Sequence, residues 1–489
     1  MSFLRTRRHS EHFKWWVLTC TSLGMLLATL NSGTLIIALP DLERSLHTTL
    51  LQLVWVILVY MIVSTVLVLT AGRLSDLFGR KNAYVLGFLI FAASSFGAGF
   101  AGSGTQLILW RVVQGIGGAL LFANAAALVT DAFPKRELGL AMGTNTMVAA
   151  VGLVVGPVLG GALVAVRWPW VFWFNVPLAL LGALWGWLVL HEMSGRSRER
   201  GLDLVGTATY VVGLTGLVLA LSKGGLTGWN NRLVIGGLAA AVVLLPLFLV
   251  IEKHGRAPML DLALFSDRLF SAASGAAFIN GLSRFALMFL FVFYFQGPQG
   301  QSPIMAGLEL APMAIGMLVA SPLAGIYADR RGSRTLAALG MVVSAVGLAG
   351  MTMLQAHTSY VWSALWLLLV GIGSGMFNSP NTAAMMGAVP VHRRGVAAGA
   401  RVMLQNTGAV ISIAFVMAIV TAAVPSPVLF KIFSGLTSGL STQQLDPFIA
   451  NMHLALWVLT GISLLGAVVS MLRPSHVRAA HDEELLEAA

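Results

Sequence analysis

Apolar residues in this chain neither alternate with polar ones nor keep to one face of a helical period. They run almost unbroken between short segments that gather Gly, Pro and the charged residues. About 20 apolar residues suffice for a helix to cross the hydrocarbon core of a bilayer, because each residue rises about 1.5 Å. Fourteen such stretches fall near 14–39, 50–72, 83–103, 105–130, 139–164, 170–190, 203–222, 232–252, 268–296, 303–327, 334–355, 361–386, 396–423 and 449–472. The period-2 alternation of lipid-facing strands is missing, and otherwise only helices satisfy their own backbone in lipid. The pattern predicts an all-α membrane protein with fourteen transmembrane helices.

Small residues and charges between the stretches repeat. Gly72-x-x-x-Asp76-x-x-Gly79, after the second stretch, recurs as Gly325-x-x-x-Asp329-x-x-Gly332 after the tenth, an offset of 253. Gly115-Ile116-Gly117-Gly118 recurs as Gly371-Ile372-Gly373-Ser374, and Pro134, Gly139, Ala141 and Gly143 recur as Pro390, Gly395, Ala397 and Gly399, both at offset 256. Three matches in one order and a nearly constant register predict two six-helix bundles. Halves of the same topology are related by a pseudo-twofold axis along the membrane normal. The stretches near 203–222 and 232–252 have no counterpart and read as an inserted pair, which leaves the orientation of the second half unchanged. The expected divisions are 1–195 for the N-terminal bundle, 196–255 for the extra pair, 256–475 for the C-terminal bundle and 476–489 for a cytoplasmic tail.

Composition agrees, since 57% apolar and 10% charged residues cannot cover a water-soluble surface. The net charge of +11 has a topological explanation. With the N-terminus inside, 23 of the 30 Lys and Arg fall in cytoplasmic segments, Arg80, Arg334 and Arg401 among them, five fall in outer loops, and Arg111 and Arg284 lie within spans. This positive-inside asymmetry predicts a multi-pass protein of the cytoplasmic (inner) membrane with both termini cytoplasmic. It accounts for the basic balance without nucleic acid as a partner. The single cysteine, Cys20, has no internal disulfide partner. Without a Gly-x-Ser-x-Gly elbow, a phosphate-binding Gly-x-x-x-x-Gly-Lys loop or a His-Glu-x-x-His pair, neither an enzyme nor a cofactor is expected. Uphill transport would then draw on an ion gradient.

Ala71-Gly72-Arg73-Leu74-Ser75-Asp76-Leu77-Phe78-Gly79-Arg80-Lys81 resembles the loop signature of the major facilitator superfamily between its second and third helices. Arg111-Val112-Val113-Gln114-Gly115-Ile116-Gly117 resembles its fourth-helix motif, and Gly152-x-x-x-Gly156-Pro157-x-x-Gly160-Gly161 the fifth-helix motif of its drug:proton antiporters. Trp168 to Pro177 and Asp203-x-x-Gly206 are similar to the fourteen-helix branch of multidrug efflux proteins. The resemblance covers roughly residues 14–475 and implies a monomeric carrier that exports small amphipathic compounds by alternating access, with the proton gradient as energy source. Gating roles then fall to Gly152, Gly156, Pro157 and Gly160, where small residues allow close helix approach and the proline frees a carbonyl. Gly72, Asp76, Gly79, Arg80 and Asp131 would form a charged latch, with Gly325, Asp329 and Arg334 as its mirror set. A membrane sensor on a carrier fold would need no such latch in both halves.

The chain departs from that branch where it matters for coupling. The first span of the branch carries an Asp where this chain has Asn31, which cannot exchange a proton near neutral pH. Asn31 plus the repeat offset of 253 gives Arg284 in the ninth span, about 12 residues or roughly 18 Å below Gln296. An Arg that deep is costly unless it faces protein, water or a ligand. The candidate substrate-binding residues are Asn31, Arg284, Asn280, Arg111, Gln114, Asn378, Gln405 and Asn406, with Asn31 and Arg284 at matched heights in one cavity. Glu309 and His453 are the proton-coupling candidates. A deep Arg in a cavity short of carboxylates favours an anionic or zwitterionic amphiphile, such as a lipid or fatty acid, as the alternative to a drug-like cation.

Overall fold

In a computed structural model, residues 11–134, 137–192, 203–255, 258, 260–389, 394–422, 424–433 and 441–474 are described, and they form helices joined by short turns. The first half contains α1 Glu11–Leu46, α2 Leu50–Phe78, α3 Arg80–Ala98, α4 Gly104–Ala132, α5 Leu138–Val166 and α6 Asn175–Val189, the last entered through the single turn Trp170–Trp173. The inserted pair is α7 Leu204–Thr227 and α8 Arg232–His254. The second half contains α9 Arg268–Gln296, α10 Ala311–Arg331 preceded by the short helix Pro303–Glu309, α11 Arg334–Met351, α12 Tyr360–Gly387, α13 Arg394–Ala422 and α14 Thr442–Met471. The expected division points near 195 and 475 and the tail 476–489 lie outside the described residues.

Start and stop signals set the helix ends. Thr49 and Gln52 make a reciprocal capping box on α2, and Asp203 and Asp267 accept from backbone N–H groups in the first turns of α7 and α9. Gly79 and Gly332, at φ +100° and +85°, stop α2 and α10 in a conformation that a side chain would strain. That requirement explains why both recur in the repeated loop motif.

Twelve helices among the described residues are long and apolar enough to cross a membrane. The expected count of fourteen is not reached by that measure. The helices left out are α3, 19 residues that open on Arg80, Lys81 and Asn82, and the 29-residue α5, which is counted only over Val155–Val166 because the side chains at 153 and 154 lie outside the described residues.

Packing follows the repeat. In the first half α1 lies on α5, α2 on α4, and α3 on α4 and α6; in the second, α9 lies on α13, α10 on α12, and α11 on α12 and α14. The repeated glycines do the same work in each half. A methyl on Gly115 would meet the Tyr60 carbonyl of α2 at 3.1 Å and one on Gly117 the Gly87 carbonyl of α3 at 2.9 Å, while Gly371 and Gly373 abut Met313 of α10 and Gly340 of α11. Each four-residue repeat is thus a place where a helix touches two neighbours backbone to backbone.

The halves meet along two seams, α5 against α10 with its short leading helix, and α2 against α13. The inserted pair covers the second seam. Thr207 of α7 shares a hydrogen bond of 3.2 Å with Thr70 of α2, while Tyr210 hydrogen-bonds Thr407 of α13 and stacks on Phe248 of α8.

Candidate functional site

Two adjoining cavities lie between the halves. The larger, about 250 Å³, is walled by α1, α2, α4 and α5 on one side and by α9, α10, α12 and α13 on the other, the same four positions of each repeat. The smaller is about 90 Å³ and continues toward Arg111 and Met313. Ser32, Tyr60, Met61, Arg284 and Phe285 line both, so Arg284 stands at their junction. Apolar wall comes from Met25, Met142, Met288, Met317, Phe122 and Phe289. Flexible thioethers and ring faces suit ligands of varied shape.

Arg284 is 7% exposed, lies 4.6 Å from the ring of Phe285, and has no hydrogen bond or ion pair among the described residues. Its Nε is buried without an acceptor. Arg401 is a second cation on the wall, and here the sequence expectation is corrected. The sequence places it among the cytoplasmic charges, but it lies about seven residues or roughly 10 Å into α13, on the face turned to the cavity. The signal was present as Arg401-x-x-x-Gln405, one helical turn apart. Arg401 Nη1 donates to Gln405 Oε1 at 2.9 Å, Gln405 Nε2 donates to Asn378 Oδ1 at 3.0 Å, and Asn378 Nδ2 donates to the Ser374 carbonyl at 3.0 Å. This chain of bonds fixes the guanidinium from α13 across to α12. Asn406 lines the same wall. Also unforeseen are Asn145, whose Oδ1 accepts from Ser22 at 2.8 Å, and the hydroxyls of Ser64 and Thr382.

Three expected residues point elsewhere. Asn31 is 1% exposed and does not line the cavity that its neighbour Ser32 lines; its Oδ1 accepts from Arg111 Nη1 and Gln114 Nε2, both at 3.3 Å. The pairing of Asn31 and Arg284 across one cavity is therefore corrected. The cause is helical phase, since one residue turns a side chain by about 100°. Gln114 is engaged with Ser95 Oγ at 2.8 Å as well, and Asn280 turns toward α11, where its Nδ2 meets Met341 Sδ at 3.4 Å. Arg111 does reach the smaller cavity, with its Nε donating to the Val56 carbonyl at 2.9 Å, Nη1 also bonded to Gln114, and its guanidinium 4.4 Å from the Tyr60 ring centroid.

The coupling candidates stand apart from both cavities. Glu309 ends the short helix before α10; its carbonyl accepts from the Tyr360 hydroxyl at 3.4 Å, and its Oε2 is buried without a partner. His453 Nε2 lies 2.7 Å from the Leu354 carbonyl. Among the described residues no Asp or Glu lines either cavity, and none occurs in the sequence between the residues that do so on any one helix.

At the face where α1 begins, Arg80 Nη1 lies 2.5 Å from Asp131 Oδ2, and the Arg80 backbone N–H donates to Glu192 Oε1 at 2.9 Å. Gly72 and Arg80 of the first half border a narrow cleft with Val396 and Gly399 of the second. The side chains of Asp76 and Asp329 lie outside the described residues. Gly325 packs near Ser379, and Arg334 has a buried Nε with no acceptor, so among the described residues the mirror set contains no counterpart of the Arg80–Asp131 pair. Methyls on Gly152, Gly156 and Gly160 would meet Thr29 Cβ at 2.9 Å, Gly33 Cα at 3.1 Å and Thr34 Cα at 2.7 Å on α1. Pro157 sits among them and presses on Gly307 of the other half, where a methyl would lie 2.8 Å from its backbone.

A sequence model of the Major Facilitator Superfamily matches residues 21–413 and 273–486. The chain is 30% identical over 395 residues to the tetracenomycin C resistance and export protein of Streptomyces glaucescens, covering 81% of this chain and 73% of that one. It is 32% identical over 426 residues to the multidrug resistance protein Stp of Mycobacterium tuberculosis, covering 84% and 79%. Among solved structures, the human organic anion transporter MFSD10 superposes with a TM-score of 0.62 at 16% identity, over 94% of this chain and 99% of that one, a likeness of fold. These relatives are transporters rather than enzymes. The chain belongs to the Major Facilitator Superfamily.

Proposed function

We propose that this protein is a fourteen-helix secondary transporter that exports amphipathic small molecules across the cytoplasmic membrane by alternating access, with both termini in the cytoplasm. The relatives named for multidrug resistance and for tetracenomycin C export support that class. The monomer that the family resemblance implies is the working unit of this reading. Counting α3 and α5 with the twelve apolar helices supports the fourteen-helix branch. The proton gradient implied by that branch would have to act through Glu309 or His453, away from the substrate.

Within that class the cavity best fits compounds that join an apolar body to an acidic group. The observation that carries this reading is Arg284, a buried guanidinium at the junction of both cavities with no acceptor of its own among the described residues. A cation left unpaired in low dielectric is costly, and a carboxylate, sulfonate or phosphate would offset that cost with a charge-assisted bond. Arg401 adds a second guanidinium from α13 on the same side of the cavity, and the Met and Phe surfaces take the apolar body.

Exchange by purified protein in proteoliposomes tests this. An arylsulfonate is expected to exchange, Arg284→Gln to slow it about tenfold or more, and a lipophilic cation of the same size to be excluded. Preferential carriage of the cation, with Arg284→Gln silent, would overturn the reading.

A further inference from the structure

We infer that the membrane potential, acting on the substrate's own negative charge, drives export, with no proton exchanged in the cavity. The inference rests on the anionic reading above and goes beyond it to the energy source.

Three observations converge. Among the described residues every fixed charge on the cavity walls is a guanidinium, Arg111, Arg284 or Arg401, and the lining segments of α1, α2, α4, α5, α9, α10, α12 and α13 contain no carboxylate in the sequence. A proton antiporter needs a group that alternates between protonated and deprotonated forms in step with substrate binding. Arginine does not do this, because it stays charged. At the position where the fourteen-helix branch carries an acid, Asn31 already accepts from Arg111 and Gln114, so even this site is filled by a neutral acceptor. The remaining titratable candidates line neither cavity: His453 Nε2 lies against the Leu354 carbonyl, and Glu309, whose Oε2 is buried without a partner, ends the short helix before α10.

Such a carrier still has a source of work. Arg284 and Arg401 belong to the second half and travel with it, so they shift little in the transmembrane field as the halves rock, whereas a bound anion crosses the whole field. Each cycle then moves the net charge of the substrate. An inside-negative membrane pushes anions outward by an amount that corresponds to about a 50-fold concentration ratio per charge at 100 mV. The guanidiniums offset the cost of holding the anion in low dielectric and set no gradient themselves. They govern rate and affinity, while the potential governs the final ratio.

The test uses the full chain in proteoliposomes with an arylsulfonate, which stays charged at every pH used and so cannot leak as a neutral acid. A potassium diffusion potential of 100 mV, negative inside and set with valinomycin at equal pH, is expected to drive an outside-to-inside ratio of about 50-fold, against about 1 when the potential is collapsed. A pH step of one unit at clamped zero potential is expected to leave the ratio near 1. Arg284→Gln should slow the approach to the ratio without changing its final value, and Glu309→Gln should leave the final value unchanged. Should exchange proceed while the ratio follows the pH step and ignores the potential, or collapse in Glu309→Gln, proton coupling is the mechanism and this inference falls while the anion reading stands. Should the arylsulfonate fail to exchange under any gradient, both fall together.

Discussion

Arg111 and Arg284 are the two arginines that sequence reasoning placed within spans, and the structure gives them opposite lives. Arg111 donates to Val56, Asn31 and Gln114 and lies over Tyr60, so its charge is spread over acceptors of the first half. Arg284 has a phenyl face and open cavity. The difference makes Asn31 a structural acceptor. Asn31→Leu is expected to strand the donors of Arg111 and Gln114 and destabilise the protein by roughly 1–3 kcal/mol, seen as a lower unfolding temperature in detergent. Asn31→Asp keeps an acceptor 3.3 Å from Arg111 and should unfold near the wild-type temperature. Equal stability of Asn31→Leu and wild type would refute the assignment. No reading of the sequence could separate these roles, because both depend on which way one turn of helix faces.

Among elements, α5 carries the clearest consequence. It crosses α1 through Gly152, Gly156 and Gly160 and presses Pro157 on the short helix before α10, so one surface of α5 touches both halves. A methyl on Gly156 would lie 3.1 Å from Gly33 Cα, and backbone has nowhere to yield. Gly156→Val is expected to push α1 and α5 apart and cut turnover at least tenfold while the protein still reaches the membrane in similar amount. Normal transport by this variant would show that the close crossing is dispensable. The four-residue spacing was legible in the sequence as a place of close approach. Its partner helix was not, because glycine spacing says that a neighbour comes near and not which one.

For the whole molecule, the question is how two halves move while α7 touches both. Its contacts with α13 run from Tyr210–Thr407 to Gly225, where a methyl would meet Ala418 Cα at 2.8 Å, whereas its hydrogen bond to α2 is Thr207–Thr70. The inserted pair should therefore ride with the second half and slide on the first. In a Cys20→Ser background, a disulfide joining Thr70→Cys to Thr207→Cys is expected to stop transport until it is reduced. Undiminished transport with the crosslink intact would mean that the α2–α7 contact persists through the cycle. The sequence by itself determined the solvent, the helical architecture, the repeat and the family, because these are written in runs of some twenty residues and in matches a fixed distance apart, and neither depends on side-chain direction. Tertiary structure decided which polar groups share a space: Asn31 with Arg111, and Arg401 with Gln405 and Asn378 in the cavity wall. The reason is geometric. Helical phase and the seam between distant segments put neighbours together to within an ångström, whereas sequence spacing places them only to within a turn.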